Sequence, residues 1–354
     1  MKKQWIALLF WMLALGYGQA QTHHKNLVKL LPPSQMTDAQ VVDNCLGIGQ
    51  RAQAFLQTEI VTRGDAAGVM DELCKALGDE DRSVRLAAAS LMGILQSSKA
   101  TPCLSARFGV EQDRQVLVWL VQNAGNIGDP AFVPALKDLY AKVSAETPGA
   151  NTRTASGLVI LPEMLKSQII LALGKCKCAA DAVPAFHQDA VAMTGQNRSL
   201  AYLGLALMGD PGIYDLIVPI MKAKRPGNTG DWDMDVLAAT GSTKDIPLLS
   251  VYAPGGPLDQ IRCQMEIKDL PADQKVARLI QLVSTSSHGS AQKWAVVQLG
   301  ILGTPAALAF LKDVVVGSSH SFYFNEALVG LRKNGKHVTW TYGPNGWPAA
   351  YSVQ

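Results

Sequence analysis

The sequence predicts an all-α protein, an α-solenoid of stacked helical hairpins. Three observations predict it. A pattern of apolar helix, Gly, polar turn, apolar residue and second apolar helix recurs along the chain. Strand signals are scarce, because the Val and Ile runs are short and broken by Gly or Pro. The 354 residues are 48% hydrophobic and 17% charged, which supplies apolar surface for a long array without the charge density of a disordered tail.

Residues 1–20 read as an address. Lys2 and Lys3 make a positive start, Trp5 to Leu15 an uncharged apolar core, and Gly18 and Ala20 the small residues of a cleavage site. This is the pattern of a Sec-type signal peptide cut after Ala20. Its core is shorter than the roughly 20 apolar residues of a membrane span. The mature chain is expected to begin at Gln21, with residues 21–37 as a flexible N-terminus, in a periplasmic or secreted location. No later stretch is long and apolar enough to span a bilayer. The net charge is +3, and two of the positive charges lie in the leader. A near-neutral mature chain lacks the charge that nucleic-acid binders use, so no nucleic-acid partner is expected.

The repeats occupy residues 38–335. One copy runs Asn126-Ile-Gly128-Asp129-Pro-Ala-Phe-Val133-Pro134, a second Ala239-Thr-Gly241-Ser242-Thr-Lys-Asp-Ile246-Pro247, and a third Ile301-Leu-Gly303-Thr-Pro-Ala-Ala-Leu308. Each part has a mechanical role. Gly takes the left-handed conformation that ends a helix. Asp, Ser or Thr caps the next helix, and Pro fits its first turn. Looser copies start at Gly78, Gly174 and Gly209. The steps between glycines suit a unit of 30–45 residues. Such a unit cannot bury its apolar face alone, so stacking is favoured over a plain bundle.

The clearest unit is Leu73-Cys-Lys-Ala-Leu77-Gly78-Asp79-Glu-Asp-Arg-Ser-Val84-Arg85, followed by an Ala-rich helix to Leu95. Val84, Ala88, Leu91 and Leu95 share one helical face. Leu-Gly-Asp, then Val-Arg, then the Ala-rich helix resembles a HEAT repeat, in particular the short HEAT-like type of the phycobilisome lyases. The resemblance implies a polar ladder between stacked units, with Asp79 and Arg85 at the ladder positions. The other copies lack the Arg.

Three segments interrupt the array: residues 144–157 and 223–235 read as exposed loops, and 253–258 as a short Gly-Pro turn. The C-terminal end is rich in aromatics, with Phe322, Tyr323, Phe324, Trp340, Tyr342, Trp347 and Tyr351. Residues 336–354 alternate around Gly-Pro-Asn-Gly and predict a hairpin or extended tail. It either caps the last repeat or displays an aromatic binding surface.

Six cysteines stand at 45, 74, 103, 176, 178 and 263. In an exported protein an even count predicts disulfides. Cys45, Cys74 and Cys103 follow one another at a spacing near one short repeat, so a bridge among them is expected to compete with buried thiols. Cys176-Lys177-Cys178 lies in a turn, where a direct bridge is strained. It offers a redox reading, or with His187 a soft-metal reading. The cluster Asp231-Trp232-Asp233-Met234-Asp235 has the opening spacing of a calcium loop. Val236 and Ser242 occupy the positions that need Gly and Glu, so helix capping by Asp231 and first-turn acids is favoured.

The chain has no Gly-x-Ser-x-Gly, Walker, HExxH or CxxCH motif. No catalytic residue, cofactor or metal is therefore assigned. The function expected is a non-catalytic scaffold that binds a protein or peptide through a curved helical surface. Trp232, Trp340, Tyr342 and Trp347 are the expected contact residues. Deletion of residues 338–354 should abolish capture and leave the helical signal intact. The alternatives are an enzyme accessory of lyase-like type, or a periplasmic redox or metal-handling protein using Cys176-Lys177-Cys178.

Overall fold

A computed structural model describes residues 32–47, 59–64, 67–146, 152–153, 159–227, 232–317, 322–346 and 348–354. The expected signal peptide, the start at Gln21, Asp231 and Trp347 lie outside these residues. The fold is an all-α solenoid, in two compact units that divide between Lys177 and Cys178, with Pro344–Trp347 grouped with the first.

The first unit contains α1 (Asp38–Gly47), a helical stretch at 59–63, α2 (Ala67–Ala76), α3 (Arg82–Leu95), α4 (Thr101–Val110), α5 (Arg114–Ile127), α6 (Val133–Ser144) and α7 (Pro162–Lys175). Helices alternate between two layers. α3, α5 and α7 pack side by side in one, α4 and α6 in the other. The sequence distinguishes the layers. α5 buries Val116, Leu117, Val118, Leu120, Val121, Ala124 and Ile127 around most of its circumference, because it has neighbours on three sides. α4 buries only Thr101, Leu104 and Phe108, a stripe at spacings of three and four. Phe108 meets Phe132 with ring centroids 6.2 Å apart. Each fully buried side chain of this size contributes roughly 1.5–3 kcal/mol.

The Gly128 turn forms as its residues dictate. Gly128 is left-handed at φ 69°, and the Asp129 side chain accepts from Ala131 N before α6 begins. Gly174 behaves otherwise. It is buried inside α7, and the left-handed position falls on Lys177, at φ 57°. Of the 144–157 loop, Thr152–Arg153 forms strand β1, antiparallel to β2 (Val159–Ile160), and residues 147–151 and 154–158 lie outside the described residues.

The second unit contains α8 (Val183–Ala192), α9 (Gly195–Met208), α10 (Gly212–Lys222), α11 (Trp232–Thr240), a 3₁₀ stretch Thr243–Val251, α12 (Pro257–Ile267), α13 (Ala272–Thr285), α14 (Gly289–Leu302), α15 (Pro305–Gly317) and α16 (Phe324–Lys333). Layering repeats here, with α9 against α11 and α14 against α16. α14 and α16 cross at two glycines: a Cβ on Gly300 would lie 2.8 Å from the Gly330 Cα. After Gly241 the sequence predicts an α-helix, and the structure has the 3₁₀ run instead. Ser242 and Asp245 form a reciprocal capping box, and Pro247 inside the run supplies no N–H for a longer helix.

Strands β3 (Val338–Tyr342) and β4 (Pro348–Val353) form an antiparallel hairpin, with Val338 opposite Val353 and Trp340 opposite Tyr351. Val338, Tyr351 and Val353 are buried, and the Tyr351 ring lies 4.9 Å from Phe324. The hairpin covers α15 and α16 and so caps the last repeat. This corrects the deletion expectation. Removing residues 338–354 would uncover Phe324, and the helical signal should fall with it.

Candidate functional site

Of the two expected ladder residues, Arg85 does bridge to the next hairpin, and the Asp79 carboxylate does not receive it. Arg85 does not meet the Asp79 carboxylate. Its Nη1 donates to the backbone carbonyls of Asp79 and Glu80 at 2.9 and 3.0 Å, while the Asp79 side chain accepts locally from Asp81 N at 2.7 Å. The carboxylate facing Arg85 is Glu111, in the next hairpin. Arg85 Nε and Nη2 donate to Glu111 Oε2 and Oε1 at 2.9 and 3.1 Å. Arg107 donates to Glu111 Oε2 through Nε at 2.9 Å and Nη2 at 2.8 Å, and the backbone N–H groups of Gln112 and Asp113 donate to Oε1. Arg82 pairs with Asp113 at 2.8 Å, and Arg114 with Glu146. Burial alone would push the Glu111 carboxyl up. The hydrogen bonds from Arg85, Asp113 N and Arg107 outweigh it and hold the group below the usual range.

Cys74 and Cys103 form a disulfide that joins α2 to α4. Cys45 and Cys263 stand outside it as buried thiols. Cys176 and Cys178 are also buried and outside that bridge, and Cys176 Sγ lies 3.6 Å from the Ala124 carbonyl oxygen. His187, the third ligand of the soft-metal reading, pairs elsewhere. Its Nδ1 lies 2.6 Å from Asp210 Oδ2, and Asp210 Oδ1 accepts from Gly212 N. Among the described residues no group of three or more His, Cys, Asp and Glu could hold a metal ion.

Burial, opposed in part by Arg278 and aided by Glu266, pushes the Cys263 thiol up to about 11. Thiolate is the reactive form. Cys263 should therefore resist iodoacetamide at pH 8 in the folded protein and react fully in denaturant. Peptide mass spectrometry checks this, and rapid labelling of the native chain would contradict it.

A buried charge cluster in the second unit joins three helices or their ends. Trp232 opens α11 and is half-buried, and Asp233 beside it is 2% exposed. Asp233 Oδ1 accepts from Ser199 Oγ at 2.5 Å. Its Oδ2 lies 3.0 Å from Lys224 Nζ and 3.5 Å from Arg198 Nη2. Each cation is backed by a ring: Arg198 by Tyr202, at 6.0 Å, and Lys224 by Tyr252, at 5.9 Å. Tyr202 and Tyr252 are themselves buried, so both cations rest on fixed surfaces. Asp233 and Asp235 both sit in the first turn of α11, where acids favour the helix dipole. The sequence marks the acids and Trp232. It carries no local signal for Arg198, Ser199 or Lys224, which arrive from other helices.

The aromatics of the C-terminal end divide. On β3, Val338 is buried, Trp340 half-buried and Tyr342 36% exposed, along one face of the strand. Phe322 is 64% exposed, and Lys293 Nζ lies 4.3 Å from its ring centre while pairing with Glu326 at 3.2 Å.

No protein-family model matches the chain, and no curated protein matches it. Among solved structures it is similar to the complex of CpcE and CpcF of phycocyanin lyase from Nostoc sp. PCC7120. The identity is 16% and the TM-score 0.46, over 88% of this chain and 97% of that chain. Among the described residues no helix is long and apolar enough to cross a membrane.

Proposed function

We propose that the chain is an exported helical-repeat scaffold that holds a protein or peptide partner. The hairpin face carries this reading. Capping the last repeat uses its buried end, Val338, Tyr351 and Val353. Trp340 and Tyr342 continue the same face outward. A strand displays them at low entropic cost, and such rings are favoured anchors at interfaces. Trp232, at the start of α11, is a second anchor in the same unit. Contact through Trp347, and an exported location, belong to the same proposal. The Cys176-Lys177-Cys178 alternative is weakened by the burial of both cysteines, which keeps them from a redox partner.

The test is a crosslinking pull-down from the exported compartment of the native host, with the mature chain as bait. One stoichiometric protein is expected. Changing Trp340 and Tyr342 together to Ser leaves Val338 and Tyr351 in place. It should reduce capture by roughly tenfold or more while circular dichroism stays unchanged. Undiminished capture by the double variant would remove this face from the interface, and a blank from the folded wild type would overturn the scaffold reading.

A further inference from the structure

We propose that the outer edge of β3 pairs with the same edge of a second copy of this chain, giving a two-fold dimer joined through one continuous sheet. The inference goes beyond the scaffold reading and does not depend on it. β3 and β4 form a two-stranded sheet, so each has one edge without a strand neighbour. The Gln354 N–H donates to the His337 carbonyl at 2.9 Å, next to the opposed residues Val338 and Val353. Bonded and non-bonded pairs alternate along an antiparallel ladder. Val338 and Trp340 therefore stand in non-bonded pairs, with their N–H and C=O groups pointing away from β4. Those of Thr339 and Thr341 point towards it. Among the described residues no hydrogen bond ties Trp340 to anything outside the hairpin. Trp340 is half-buried, and Thr339 and Thr341 beside it are exposed, so this stretch of the edge lies at the surface.

The two edges differ in the devices that keep natural sheets from pairing further. β4 begins with Pro348, which has no N–H to offer. The ladder is irregular beside it: Thr341 faces Ala350 and Tyr342 faces Pro348, which leaves Ala349 as an extra residue on β4. β3 reads Val-Thr-Trp-Thr-Tyr, with no charge, no Pro and strand-favouring residues throughout. Its own sequence selects a second copy as the occupant. A two-fold axis at Trp340 sets its N–H and C=O against those of Trp340 in the second copy, and the two exchange both bonds. Thr339 then falls opposite Thr341 of the second copy, and Val338 opposite Tyr342. Thr–Thr and aromatic–β-branched pairs are favourable. Charge agrees with the pairing. A strand that meets its own copy brings like groups close, and β3 has no charged side chain to repel itself. Lys336, the nearest cation in sequence, falls opposite Pro344 of the second copy.

Sedimentation velocity of the mature chain, up to about 100 µM, tests the proposal. A dimer is expected, with no larger species. The register also supplies variants that should fold. Thr339 and Thr341 are exposed and face Ser352 and Ala350 of the same hairpin, so a charge at either meets no charge within one copy. Across the dimer the two positions face each other. Thr339→Lys with Thr341→Lys, and separately Thr339→Glu with Thr341→Glu, should each weaken the dimer by about tenfold or more, with unchanged circular dichroism. Mixed in equal amounts, the two variants should dimerise again. A wild type that stays monomeric would overturn the proposal. So would a Lys double variant that dimerises as before, a mixture that stays apart, or wild-type assembly beyond the dimer, which needs a second surface. Hydrogen exchange reads the same edge without a substitution. Peptides covering residues 338–342 should exchange more slowly in the dimer than after dilution to monomer. Equal exchange in the two states would overturn the pairing, and full protection in the monomer would assign the edge to a segment of the same chain. The pull-down is a separate measurement, so the scaffold reading survives failure of the dimer.

Discussion

Changing Glu111 to Ala is expected to destabilise the first unit by about 3–5 kcal/mol, the usual cost of removing one side of a buried ion pair. Glu111 is 2% exposed and accepts from Arg85, Arg107 and two backbone N–H groups. Its loss leaves two guanidinium groups without their acceptor. Arg85 suffers most, being only 9% exposed itself. Urea unfolding followed by circular dichroism measures the effect. A change below about 1 kcal/mol would mean that the contact behaves as a surface pair. Combining Glu111→Leu with Arg85→Met should recover only the part of the loss due to Arg85, because Arg107 and the two backbone N–H groups still lose their acceptor.

The same carboxylate sets an acid limit. Its pKa in the folded chain is held below the ordinary value. The stabilisation it contributes is therefore fully present above the unfolded glutamate value, about 4.3, and is lost as pH falls through the lower folded value. The melting temperature of the wild type should drop on acidification through this window, and that of Glu111→Gln should drop less.

Reducing the Cys74–Cys103 bridge, or changing both cysteines to Ser, is expected to cost about 3–4 kcal/mol. That is the chain-entropy value for closing a loop of this length. The bridge spans 29 residues and ties α2 to α4 across the whole of α3. Differential scanning calorimetry with and without reductant checks it. An unchanged transition in reductant, with the thiols shown to be reduced, would contradict the expectation. Intact-mass analysis after alkylation should find Cys45 as a thiol, since burial and the nearby Glu59 push it up.

The fold was legible where a local rule decides local structure. Gly128 and Gly303 end helices in the left-handed conformation, and Asp129 caps the short turn that leads into α6. These choices need only neighbouring residues. Gly174 misled because termination was settled two to three residues later, at Cys176 and Lys177. The ladder misled for a different reason. Asp79 can satisfy itself within its own turn, through Asp81 N, so Arg85 is left to find an acceptor in the next hairpin. Which residue stands there depends on how the hairpins stack. Glu111 lies 26 positions away, and no spacing rule points to it.

The candidate site divides along the same line. Asp233 was visible as a first-turn acid on α11. Its burial was not, because that depends on Arg198 and Ser199 from α9 and on Lys224 after α10. The aromatic end was read as a cap or as a binding surface, and the hairpin does cap the last repeat. Tyr351 and Val338 are turned to the core, while Trp340 and Tyr342 lie progressively further out.

The central claim is that the partner is held and not altered. Intact-mass spectrometry of the captured partner tests it most directly, comparing partner from the native host with partner from a host lacking this chain. Identical covalent masses are expected, with a stoichiometric complex on size-exclusion chromatography. A partner that is recovered only in trace amounts, and whose mass differs by an attached or removed group when this chain is present, would contradict the scaffold and establish a role in chemistry.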